Sequence, residues 1–249
     1  MPSDRWQEHR VVGHQTLVYK PQAVGDTAIV CLGHDLFEPF ACAELIEEEA
    51  EQLRCPVVLL EARGTWWLHR QVEEFDAQLT PDAWVAEAVF DWLHERYRPA
   101  QVVLSGVGTG GQGALRIAFR HPRRFAGVAA VQPWIDFHQR YWEDELLQRV
   151  FPDVESARQL TATLWINPLN RPLAISLLAN RDDATWFRGI ERLHDKLVAI
   201  GVPHQWEVVS APVEDLFGLA RAKLAALLRS TVLALRSNEL RPLPGGEAE

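Results

Sequence analysis

The segment Val102–Val131, VVLSGVGTGGQGALRIAFRHPRRFAGVAAV, holds the residues with the most chemistry to offer. A β-branched apolar run passes straight into Gly106-Val-Gly108-Thr109-Gly110-Gly111 and then into an amphipathic stretch, the pattern of a strand, a tight turn and a helix. In acyl-transfer chemistry such a turn carries Gly-x-Ser-x-Gly, with the serine on a strained backbone and the next N–H helping to hold the oxyanion. The glycines are needed because strand and helix pack with no space for side chains. Here the centre of the turn is Gly108, so no nucleophile stands there. Ser105 lies three residues early, inside the strand, with its side chain directed into the sheet packing. Thr109 lies one residue late, its N–H at the oxyanion position and its hydroxyl off the line of attack. The same glycines also fit a dinucleotide fingerprint. Those sit on a first strand–helix–strand unit, with an acidic residue about 20 positions on. This segment follows other units, and its next strand ends at Val131 without that acid.

The turn and helix resemble the esterase D and feruloyl-esterase-like branch of the α/β-hydrolase superfamily, whose elbow reads G-x-S-x-G-G-x-G-A before a helix ending R-H-P-x-x-F. Gly106, Gly110, Gly111, Gly113 and Ala114 fill the small positions, and Arg120, His121, Pro122 and Phe125 fill the helix end. The resemblance places the nucleophile at Gly108. It implies an acid in the loop Ala179–Gly189, where Asp183 is the counterpart and Asp182 the next choice; either residue also suits a helix N-cap. It implies a histidine after the last strand, in Ser210–Phe217, where Val213 stands; no histidine follows His204. It implies a His-Gly pair in the oxyanion loop, where this chain reads Gly33-His34-Asp35-Leu36 with the order inverted and a carboxylate beside it. A negative charge there opposes a developing oxyanion. Losing serine or histidine from a serine hydrolase removes on the order of 10⁶ in turnover. The expectation is a catalytically degenerate esterase-like protein; the alternative is an ester hydrolase or acyl transferase built on His34, Asp35, Thr109 and Asp183.

The remaining candidates are binding residues. Trp66 and Trp67 follow an early strand, and Trp134 follows the strand after the elbow; with His34, Asp35, Leu36 and Thr109 they are expected around the old pocket, or else as plain packing. The histidines are scattered without metal-ligand spacing, and no metal or cofactor is expected. The net charge of −9 argues against a nucleic-acid surface. No apolar run spans a membrane, no secretory signal opens the chain, and three scattered cysteines fit a reduced, cytoplasmic setting. A small apolar ligand, a protein partner and a second copy of the chain stay open as partners.

The elements that must position these residues alternate along the chain. Strands are expected at Thr27–Leu32, Pro56–Leu60, Gln101–Val107, Phe125–Val131, Ala174–Leu178 and His204–Ser210, with an antiparallel edge strand in Val11–Tyr19. Helices are expected at Pro39–Arg54, after a Thr80 cap, at Gly110–Arg120, Ala184–Ile200 and Val213–Arg236. Short connections between alternating strands and helices imply an α/β fold, a mainly parallel twisted sheet covered on both faces. One domain over 1–237, with a lid-like insertion at 138–172 and a disordered tail at 238–249, is the economical reading.

Overall fold

The computed structural model describes residues 4–38 and 40–239. Its eight strands are β1 (Trp6–Val11), β2 (His14–Tyr19), β3 (Thr27–Leu32), β4 (Val57–Leu60), β5 (Gln101–Val107), β6 (Gly127–Val131), β7 (Ala174–Asn180) and β8 (Gln205–Val209). They form one sheet in the order β1-β2-β4-β3-β5-β6-β7-β8. The strands from β4 to β8 run parallel, and β2 joins β4 antiparallel. The central strands are buried along their whole length, as continuous apolar runs such as TAIVCL and GVAAV require.

The helices are α1 (Ala43–Leu53), α2 (Pro81–Ala83), α3 (Phe90–Tyr97), α4 (Gly108–Arg120), α5 (Glu145–Val150), α6 (Val154–Arg158), α7 (Ala162–Trp165), α8 (Ala184–Ala199) and α9 (Leu216–Glu239). Thr80 caps α2 by accepting the Ala83 N–H, and a π-helical turn over Trp84–Val89 carries the chain into α3. One face of the sheet packs Ile29, Cys31 and Val103 against Ile46 of α1 and Leu224 and Leu228 of α9. The other packs Val30, Leu32 and Leu104 against Trp84, Leu93, Ile117 and Ile190. A third cluster, Trp66, Phe137, Tyr141, Leu147, Phe151 and Trp186, lies over the carboxyl ends of the strands.

Three expectations need correction. Val11–Tyr19 is not one edge strand: the chain reverses at Val12 (φ 50°) and Gly13 (φ 84°), so β1 is the edge and β2 lies inside the sheet. Two successive positive φ values make a tight hairpin that the polar first strand conceals. Residues 138–172 hold a 3₁₀ turn at Phe137–Arg140 and three short helices rather than two. The last helix starts at Leu216 because Asp215 accepts the Gly218 N–H as a cap, and it runs to Glu239, past the boundary expected at 238. The rest of the expected tail, 240–249, lies outside the described residues.

Candidate functional site

Along the chain β3 is followed by β4 on one side and β5 on the other, so the β3/β5 boundary is where the strand order reverses. In open α/β sheets the crevice beyond the carboxyl ends at such a point is the usual site. Two loops meet there. Leu32 pairs with Gly106 in register, so two steps beyond the sheet His34 falls opposite Gly108.

That register decides the geometry of the turn. Gly108 has φ +52°, which glycine adopts with little strain. A Cβ built there would lie 2.7 Å from His34 Cε1, 2.8 Å from Nδ1 and 3.1 Å from Nε2. The imidazole therefore fills the space a nucleophile's side chain would need. Gly110 packs directly on the Leu32 carbonyl, which leaves it no space for a Cβ either.

His34 also takes the hydrogen bonds of the turn. The Thr109 N–H, at the position that would face a substrate oxyanion, donates to His34 Nδ1 at 3.2 Å. The Thr109 hydroxyl lies 2.9 Å from the same nitrogen and accepts the Asp35 N–H at 3.2 Å. Nδ1 is thus an acceptor and the ring proton sits on Nε2. Nε2 is buried without a hydrogen-bond partner, and the ring meets Phe37 and Trp134 edge-on at 4.8 and 4.7 Å. Both His34 and Thr109 are 1% exposed. Burial pushes the His34 imidazole down to about 4, so it is neutral near pH 7.

Around this plug the candidates divide. Trp66 and Trp134 do stand over the turn. Trp134 stacks on Trp186 at 4.6 Å and 6°, with Trp66 6.0 Å from the first and 6.5 Å from the second. The Trp134 N–H donates to the Gly108 carbonyl through the backbone at 3.0 Å. Trp67 does not line this space. It lies in the core between sheet and helices, parallel to Trp84 and against Gly113, its Nε1 donating to the Gly33 carbonyl. Leu36 is 75% exposed. The Asp35 carboxylate accepts the Gly64 N–H, and burial raises it to about 6; burial likewise raises Glu61, which accepts the Phe40 N–H, to about 7.

The residues expected at the acid and histidine positions have other surroundings. Asp183 caps α8, one oxygen accepting the Trp186 N–H and the other the Gln132 amide at 3.0 Å. Asp182 is exposed, and Val213 lies in the turn after β8, 47% exposed. Ser105 is fully buried in β5 and donates to the Ala129 carbonyl at 3.0 Å.

Gln132, Gln112, Arg116 and Asp82 also shape the site and were not among the sequence candidates. Trp66 and Trp67 have φ of 51° and 55°, and Gln132 has 42°. Each left-handed non-glycine residue costs about 1–3 kcal/mol and persists only where its surroundings over-determine it. From α4, Gln112 donates to the Trp66 carbonyl and Arg116 to the Trp67 carbonyl. Arg116 is fully buried, 3.2 Å from Asp82, which also holds Arg120 at 2.8 Å. Burial alone would raise the Asp82 carboxyl, but His121 at 3.5 Å and the two guanidiniums hold it at about 2. The one legible signal was a polar Gln and Arg, at positions 112 and 116, on a helix otherwise apolar on its inner side.

A family model described as a putative esterase matches residues 19–206, most of the chain. The chain belongs to this esterase family. No curated protein matches it in sequence. Its fold is that of the α/β-hydrolases among solved structures. An S-formylglutathione hydrolase from Agrobacterium tumefaciens aligns over 92% of this chain and 94% of that one, with TM-score 0.74 and 14% identity. MPT51 (FbpC1) of Mycobacterium tuberculosis aligns over 94% and 100%, with TM-score 0.74 and 14% identity. The S-formylglutathione hydrolase FrmB of Staphylococcus aureus aligns over 92% and 97%, with TM-score 0.71 and 12% identity. At such identities the likeness carries the fold alone. The esterase family chain holds a glycine at its elbow, and a histidine from the facing loop rests on it. Among the described residues no group of three or more His, Cys, Asp or Glu side chains is placed to hold a metal, and no helix is long and apolar enough to cross a membrane.

Proposed function

We propose that this esterase-family protein is catalytically silent and acts by binding, at the half-buried Phe37 and Trp134 over its closed elbow, a small apolar ligand or an apolar segment of a partner. One observation carries the reading: the His34 ring occupies the Cβ space of residue 108 while its Nδ1 takes the Thr109 N–H. Nucleophile space and oxyanion donor are filled by the same side chain. A substrate carbonyl has neither an attacking group nor a place to put its charge. The left-handed Trp66 and Gln132 beside the elbow support a binding role, since strained backbone clusters at ligand sites.

A second reading rests on the 2.9 Å contact of Thr109 Oγ1 with His34 Nδ1, which has the reach of a nucleophile and its base. Two features weigh against it. Both groups are 1% exposed, and the base sits at about 4, far below the pKa near operating pH that general-base catalysis favours. Titration with p-nitrophenyl butyrate separates the readings. Binding without chemistry gives saturable quenching of tryptophan emission and no release of p-nitrophenol above buffer. Turnover abolished by Thr109→Ala overturns the silent reading, and neither quenching nor turnover overturns the binding role.

A further inference from the structure

The two edges of the sheet differ. β1 carries exposed Gln7, Glu8 and Arg10, the polar guard that discourages pairing at an edge. β8 carries half-buried Trp206, Val208 and Val209, and among the described residues no strand lies beyond it. The Arg181 N–H donates to the Val209 carbonyl at 2.9 Å. Backbone groups alternate along a strand, so Gln205, Glu207 and Val209 turn theirs toward β7 while Trp206 and Val208 turn theirs outward. A groove runs along each face of this edge. The one beside α8 measures about 500 Å³ and is lined in part by Phe187, Trp206 and Val208. The one beside α9 measures about 300 Å³ and is lined in part by Gln205, Glu207 and Leu227. The first groove is charged at both ends. Arg181 follows β7 and stands by the carboxyl end of β8, whereas Asp195, with Glu191 one turn before it, lies on α8 toward the amino end. Among the described residues no ion pair engages any of these three side chains.

We propose that the β8 edge docks a second copy of this chain, added antiparallel so that the two sheets become one. An edge with outward backbone groups and a groove on each face suits strand addition, since side chains of the added strand enter both grooves alternately. Charge selects a second copy as the occupant. A two-fold axis perpendicular to the sheet keeps α8 on the same side in both copies and exchanges the ends of β8. It carries Arg181 of each copy to the end of the groove where the other copy holds Glu191 and Asp195. The same contact between opposite charges then forms twice, as a closed two-fold interface requires. Trp206 and Val208 exchange their outward N–H and C=O groups with the facing strand. Centring the axis on either residue sets Glu207 opposite Gln205 or Val209, so that two carboxylates do not stand directly across from one another. Lys223, 2.6 Å from Glu207, neutralises that carboxylate on the α9 side.

The test is sedimentation velocity on the full chain at concentrations from about 1 to about 100 µM. The expected result is a monomer–dimer equilibrium within that range. Arg181→Glu and Asp195→Arg, both at exposed positions, each weaken the dimer about tenfold or more. An equimolar mixture of these two variants recovers it, because each copy supplies the charge that the other's altered groove needs. Val208→Pro removes an outward N–H that β7 does not use, and also weakens the dimer about tenfold or more. Circular dichroism confirms that the variants are folded, and the two charge variants keep the test valid if Val208→Pro is not. A chain that stays monomeric throughout overturns the proposal. So does a dimer left unweakened by either charge variant or by a folded Val208→Pro, and so does a mixture that stays monomeric.

Discussion

Substituting Gly108→Ser in the unchanged chain should be costly because of His34, and the cost should shrink when the ring is removed. Two terms add up in the unchanged chain. A side chain at φ +52° costs about 1–2 kcal/mol. Placing its Cβ 2.7–2.8 Å from His34 Cε1 and Nδ1 forces a shift in a packed core, at about 1–3 kcal/mol. The sum is about 2–5 kcal/mol, a large part of a typical domain's stability. In a His34→Ala background the three ring atoms that a Cβ would meet are gone, and only the backbone term of about 1–2 kcal/mol remains. The double-mutant cycle should therefore give a favourable coupling of about 1–3 kcal/mol. Urea unfolding of the four proteins, followed by tryptophan emission, reads it directly. Costs that add to within about 0.5 kcal/mol would refute the claim that His34 occupies the nucleophile's space.

Three further outcomes follow from the same geometry. His34 is held at about 4 in the folded chain against an ordinary 6.5, so its stabilising contribution is complete above pH 6.5 and is lost as pH falls toward 4. The loss is on the order of 3 kcal/mol. Asp35 and Glu61, raised by burial, act in the opposite sense, losing stability as pH rises toward 6 and 7. They are common to both proteins, so the difference between the pH–stability curves of the unsubstituted chain and His34→Gln isolates the histidine; parallel curves would contradict its burial as a neutral ring. Asp82→Ala should cost about 3–5 kcal/mol in urea unfolding, because it leaves the fully buried Arg116 unpaired; a loss under 1 kcal/mol would remove that ion pair from the support of the Trp66–Trp67 turn. Asp183→Ala should cost about 1–3 kcal/mol through the lost cap and the stranded Gln132 amide, with no change in ester turnover.

Much of the scaffold could be read in advance. β3 and β5 coincide with their apolar runs, and Thr80 caps its helix, because unbroken β-branched runs and N-cap residues are local signals. The run of glycines is legible as a strand–turn–helix signal, but the contacts that exclude a Cβ there come mostly from outside the unit, from His34 at Gly108, Leu32 at Gly110 and Trp67 at Gly113. What sequence could not supply was which side chain fills the vacancy. His34 and Gly108 are brought together by strand register across 74 positions, a long-range relation that no local pattern encodes. For Trp67 the sequence leaves open pocket lining beside Trp66 or plain packing. Two successive left-handed residues send Trp67 down to Gly113, and that reversal depends on Gln112 and Arg116 reaching across from α4. Asp183 carried a helix-cap signal and a catalytic-acid signal alike, and the partners it has are those of a cap.

The central claim is that a filled elbow leaves no activated nucleophile. Intact-mass measurement after incubation with a fluorophosphonate probe tests it without choosing a substrate. The unsubstituted chain should show no adduct at Thr109, Ser105 or any other residue. A stoichiometric adduct mapped to Thr109 would contradict the account, and would make the Thr109–His34 contact a catalytic pair.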